Sequence, residues 1–192
     1  DPVAVIAPSQ MAGGAWKLLA SGRYTKPILL TLSNVAMATT LAVVMGFAAG
    51  WLLYLLPRLR HAADPLLASY YAVPTFIFYP LFIVMFGLNR WPLVAIGFIF
   101  AVVAMLLNTL QGFERVPPVL RRTARSLRLS TAQTLFRVVL PSCAPHLFTG
   151  LKLAIVYAFI GVIAAECVLS GAGLGFEIDF SYTTLNHATL SG

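Results

Sequence analysis

The sequence is poor in charge. Only 10% of its 192 residues are Asp, Glu, Lys or Arg, 59% are hydrophobic, and the mean hydropathy is +0.87. Soluble globular chains carry about 25% charged residues, so a soluble domain is excluded and a membrane protein is expected. Cysteine is scarce too, limited to Cys143 and Cys167. Two cysteines cannot build a disulfide scaffold. If one helix joins them, they stand about 36 Å apart at about 1.5 Å per residue, far beyond disulfide reach. The three histidines, His61, His146 and His187, lack metal-ligand spacing, so no metal site is expected. No GxxxxGK[ST] phosphate loop occurs, and "GAGLG" lacks the lysine and Ser/Thr of a nucleotide site. The chain is therefore expected to bind no cofactor. Paired carboxylates and an intramembrane histidine are also missing, which argues against a membrane-embedded protease or lipid-processing enzyme. Acidic residues number six against thirteen basic ones, a formal charge of +7. The arginines sit in short loops beside apolar runs, so topology and lipid headgroups account for them, and no nucleic-acid partner is expected.

What the chain has in quantity is long apolar runs. About 20 apolar residues cross a bilayer. Four spans are expected, at residues 31–56, 65–88, 91–113 and 147–169. The first is uncharged and carries Ala36, Ala38, Ala42, Gly46, Ala49 and Gly50, small residues that let a second helix approach closely. The second contains Pro74 and Pro80, each of which removes a backbone donor and clashes with the preceding turn, so a kink or break is expected. The fourth carries Lys152 near one end and Glu166 near the other, and "SGAGLG" stops it. Residues 1–30 read as a periplasmic or interfacial segment, with a short amphipathic helix around Trp16, Lys17, Leu18, Leu19 and Arg23. They lack the pattern of a signal peptide. Residues 170–192 read as a glycine-containing periplasmic tail. A chain that starts at Asp1 and stops at "NHATLSG" is expected to be cut at both ends, with further spans outside it.

Orientation follows from the basic residues. Loops 57–64 and 114–146 hold eight: Arg58, Arg60, Arg115, Arg121, Arg122, Arg125, Arg128 and Arg137. The opposite side holds four: Lys17, Arg23, Lys26 and Arg90. The excess marks the cytoplasmic side.

The longer of those loops is patterned. Pro117 and Pro118 suit a first helical turn. Leu120, Ala124 and Leu127 form an apolar stripe, and Arg121, Arg125 and Arg128 a basic one. "STAQ" then offers a capping box between Ser130 and Gln133, opening a second short helix expected over 131–139 and ending before Pro141. The stripes alone leave two readings open: a segment resting on anionic headgroups, or a docking element for a cytoplasmic partner.

The stretch "RRTARSLRLSTAQTLFRVVLP" resembles the cytoplasmic loop of bacterial ABC importer permeases, EAA, three residues, G, nine residues, I, one residue, LP. Aligned from Leu140 and Pro141, Val138 takes the isoleucine position, Arg128 the glycine, and Arg122, Thr123 and Ala124 the EAA. The flanks "LLNTLQGFERVPPVL", "PHLFTGLKLA" and "GVIAAECVLSGAGLGFEI" are similar to permeases of the nitrate/sulfonate/taurine type, and the resemblance covers roughly 30–178. It departs in charge at Arg122, and at Arg128 a non-glycine residue in a left-handed turn costs about 1 kcal/mol, so an altered turn and a changed docking surface are expected.

The resemblance implies an all-α, type I importer bundle. Two permease copies would form the pathway, and a periplasmic solute-binding protein would deliver a small anion, sulfonate or vitamin precursor. A separate ATPase, holding ATP and Mg, would grip the loop through Arg121, Arg122, Thr123, Ala124, Arg125, Leu127, Arg128, Ser130, Gln133, Leu140 and Pro141. Pathway candidates are Tyr71, Pro74, Phe76, Pro80, Asn108 and Glu166. For these the residues leave plainer roles open: aromatic packing with Tyr70 and Tyr79, a cross-helix hydrogen bond from Asn108, and interfacial snorkelling of Glu166 and Lys152. A passive channel, or a permease with impaired coupling, is the alternative.

Overall fold

The computed structural model of the chain describes residues 22, 24–70, 73, 75–169 and 172–190, with side chains described for all of these but 75, 76, 169 and 184–190. The expected interfacial helix before residue 22, and Tyr71 and Pro74, lie outside the described residues. Among those described, the structure is helical throughout. In chain order come α1 (Thr25–Leu55), α2 (Pro57–Ser69), a 3-10 turn (Thr75–Phe78), α3 (Tyr79–Phe86), α4 (Trp91–Glu114), α5 (Pro118–Ser126), α6 (Thr131–Thr134), a π turn (Leu135–Val139), α7 (Leu140–Leu169) and α8 (Leu174–Leu190).

Among the described residues, three stretches are long and apolar enough to cross a membrane: Thr25–Leu55, Trp91–Glu114 and Thr131–Val168. They match the first, third and fourth expected spans. Residues 65–88, the second expected span, are broken, one of the two outcomes expected of its prolines. α2 ends at Ser69, and α3 is only eight residues long. Pro80 enters at the first turn of α3, where its missing donor costs nothing.

The helices group into two compact units, Asn34–Val162 and the pair of segments Asp1–Ser33 and Ile163–Gly192, with α1 and α7 contributing to both. The larger unit is built on small residues. Val35, Ala38 and Ala42 of α1, Val94, Ala101 and Met105 of α4, and Ala154, Ala158 and Val162 of α7 form its buried core. Spacings near four keep each set on one helical face. The glycines set how close the backbones come. A Cβ on Gly46 would lie 2.7 Å from the Val102 carbonyl oxygen, and one on Gly50 2.7 Å from that of Leu106. Gly161 meets the Cα of Gly97 at a notional 3.0 Å on the other side of α4. In lipid, where apolar burial gives no net drive, such close contact is what holds helices together.

A second cluster joins Phe113, Val116, Val139 and Cys143, with Phe47, Trp51, Tyr54 and Leu135 packed around them. The Tyr54 and Phe113 rings stack at 5.2 Å. This cluster seats both ends of the loop between α4 and α7. α2 joins the unit through Ala63 and Leu67, which pack on Leu53, Leu106 and Leu110, and through an ion pair between Arg60 and Glu114.

Candidate functional site: the loop between α4 and α7

The patterned loop folds as two short helices, and its stripes divide by direction. Ala124 is only 2% exposed. Arg121 turns inward as well: its Nη2 donates to the Phe113 carbonyl at 2.9 Å, and its guanidinium lies 5.4 Å from the Tyr54 ring centroid. Arg121 fastens α5 to the end of α4 and is half-buried, and Ala124 is buried, although the sequence places both on the docking face. Arg122, Thr123, Arg125, Ser126, Leu127 and Arg128 are exposed.

The turn between α5 and α6 keeps the geometry that glycine would favour. Arg128 adopts φ 51°. The Leu129 amide donates to the Ala124 carbonyl at 3.0 Å and the Arg128 amide to that of Arg125 at 2.9 Å. This nested pair is the Schellman closure, with the left-handed residue just past the helix end. The expected change of turn does not occur; arginine takes the left-handed position at a cost of about 1 kcal/mol. The capping box is present as read: the Gln133 amide donates to Ser130 Oγ at 3.2 Å, and the Ser130 amide to Gln133 Oε1 at 2.9 Å.

The second short helix, however, does not stop before Pro141. The chain passes from α6 through the π turn directly into α7, with the Leu140 amide donating to the Leu135 carbonyl. A proline inside a helix cannot donate and crowds the carbonyl four residues back. One widened turn ahead of it absorbs that conflict. Leu140 is half-buried and Pro141 exposed at this junction.

Of the pathway candidates, Pro80, Asn108 and Glu166 have described side chains. Pro80 is exposed on α3, and the side chain of Phe76 lies outside the described residues. Asn108 makes no cross-helix hydrogen bond among the described residues; its Nδ2 donates to the Ala104 carbonyl of its own helix at 2.8 Å, while its Cβ packs against Gly150 of α7.

Glu166, in the smaller unit, neither snorkels nor lines an open surface. It is fully buried. Its Oε2 accepts from Thr31 Oγ1 at 2.7 Å and from the Gly175 amide at 3.2 Å, and Thr31 Oγ1 in turn accepts from the Leu174 amide at 3.0 Å. Gly173, at φ 116°, leaves the carboxylate the space a Cβ would fill, 2.6 Å from the carboxyl carbon. The arrangement is a clasp: one carboxylate and one hydroxyl satisfy the first amides of α8 and tie them to α1. The sequence reading missed Thr31, which looks like any polar residue at the edge of an apolar run. The signal available was a lone acid followed seven residues later by a glycine-rich helix start.

With this geometry in place, the similarities to known proteins can be set beside it. Residues 38–179 match the family described as "Binding-protein-dependent transport system inner membrane component". The bicarbonate transport system permease protein CmpB of Synechococcus elongatus is 35% identical over 155 residues, 80% of this chain and 56% of that protein. The nitrate import permease protein NrtB of Leptolyngbya laminosa is 31% identical over 157 residues, 82% and 56%. The taurine transport system permease protein TauC of Escherichia coli K12 is 33% identical over 150 residues, 77% and 54%. The chain belongs to this family of importer permease components, multi-pass proteins of the inner membrane. It spans about half the length of these relatives.

Proposed function

We propose that this chain is the membrane-spanning part of an ATP-driven importer for a small anion, and that the loop 117–141 receives the movement of a separate ATPase subunit. The observation that carries the reading is the construction of the loop. α5 is fastened inward through Arg121 and Ala124, closed by a Schellman turn, and followed by a capped helix continuous with α7. A segment fixed at its base and continuous with a span transmits a push; a loosely tethered loop would absorb it. The bicarbonate, nitrate and taurine named for its relatives support a small anion or sulfonate as cargo. A solute-binding protein on the opposite face and a second permease copy complete the assembly, and ATP and Mg reside on the ATPase.

Because Ala124 faces the chain itself, the informative substitution is Leu127→Asp, at a side chain 67% exposed. The chain and an ABC ATPase subunit of its own organism, copurified in detergent, should associate for the wild type and lose most of that association in Leu127→Asp. An unchanged complex would remove the loop from the docking role.

A further inference from the structure

The outward surface of the loop specifies the chemistry of the groove that receives it. Arg122, Arg125 and Arg128 are exposed on α5 and its closing turn, and Arg137 on the π turn. No acidic residue occurs between Glu114 and Glu166, so the loop and most of α7 supply no counter-charge. The two acids on α2 and α4 are committed elsewhere: Glu114 pairs with Arg60, and Asp64 lies 3.9 Å from Arg60 and 4.0 Å from His61. Guanidinium groups left outward in this way fit planar, bidentate anions.

Anionic lipid headgroups and an acidic protein groove both offer such anions, and the orientation of α5 decides between them. A helix lying in the headgroup layer turns a broad apolar face toward the acyl chains. The exposed residues of α5 past its first turn are instead Arg122, Thr123, Arg125 and Ser126, with Pro118, Val119 and Leu120 exposed only at its start, while Ala124 is buried against the chain itself. The apolar side chains left outside are Val119 at 65%, Leu120 at 38%, Leu127 at 67% and Phe136 at 67% exposure, a few anchors interrupted by charges rather than a continuous face. Apolar anchors inside a charged rim are the make-up of a protein interface.

We infer that this surface is fitted to a carboxylate-lined groove on the ATPase subunit, with Asp or Glu side chains facing Arg122, Arg125 and Arg128 and an apolar pocket for Leu127. The inference deepens the functional reading above and rests on it. It reverses the charge that the resembled motif implies, since Arg122 occupies the motif's glutamate position. Charge reversal on one partner requires reversal on the other and rejects ATPases matched to an acidic loop.

The test uses the full chain in zwitterionic phosphatidylcholine nanodiscs and the same ATPase subunit, with affinity measured across salt. Affinity should fall about tenfold or more between about 50 mM and about 300 mM salt. The double variant Arg122→Glu/Arg125→Glu should bind about tenfold more weakly at low salt, with a flattened salt dependence, while Arg122→Lys/Arg125→Lys keeps most of the affinity. Salt titration of the wild type and the lysine variant keep the test decisive if the double variant folds poorly. If the ATPase binds but charge reversal leaves binding equal or tighter, the docking reading stands and the acidic groove is overturned. If the ATPase binds at no salt concentration, both fall. In that case, protection of the loop arginines from trypsin only in anionic nanodiscs would assign the surface to lipid.

Discussion

Single residues carry opposite kinds of cost in this chain. Arg128 holds a left-handed backbone with no glycine to ease it. Replacing it with glycine should raise thermal stability in detergent by a few tenths to about 1 kcal/mol, the steric cost relieved less the entropy glycine adds to the unfolded chain. The same substitution removes one outward guanidinium, so stability and ATPase affinity should move in opposite directions. Glu166 illustrates the other case. A fully buried carboxylate is tolerated because Thr31 and the amide of Gly175 satisfy it. Thr31→Val keeps the shape and deletes the hydroxyl that serves both Glu166 and the Leu174 amide. It should cost about 1–3 kcal/mol by leaving buried polar groups unmet, read as a lower midpoint of thermal unfolding. Gly173→Ala should cost at least as much, because a Cβ there collides with the carboxylate and the backbone sits at φ 116°.

At the level of elements, the loop's rigidity rests on its ends. The capping box at Ser130 and Gln133 opens a helix of only four residues before the π turn. A helix that short has little cooperative stability of its own. Ser130→Ala should therefore cost about 1 kcal/mol and raise amide exchange over residues 131–134 more than in the core of α4. Helix contact in the larger unit depends on glycine rather than on bulk. Gly50→Val would drive a side chain into the Leu106 carbonyl and Thr109. Overpacking of this kind typically costs about 1–3 kcal/mol, and here it should separate α1 from α4, visible as lowered stability with helix content unchanged.

For the whole molecule, the decisive arrangement is which side of the bilayer the loop occupies. The expected eight basic residues on one side against four on the other would place it in the cytoplasm, and the importer reading requires that side. With Cys143 and Cys167 replaced, Ser126→Cys should react with a membrane-impermeant maleimide in inverted vesicles and not in intact cells. Labelling from outside the cell would remove the ATPase from reach of the loop and end the importer reading.

Composition and periodicity were enough to determine that this chain is a helical membrane protein, where three of its spans lie and that a capped loop joins two of them, while its family was legible only as the resemblance of that loop and its flanks to a known motif. These properties are local or additive. Hydropathy sums along a run, and a capping box or a loop motif is written in a few adjacent residues. The direction each residue of α5 faces was decided only in three dimensions, because Ala124 is buried by the fold and Arg121 lies over Tyr54 of α1, well away in sequence. The union of Thr31 with Glu166 and the glycine-rich turn also needed the fold, since polar groups 135 positions apart pair only when helix packing leaves them no water to turn to.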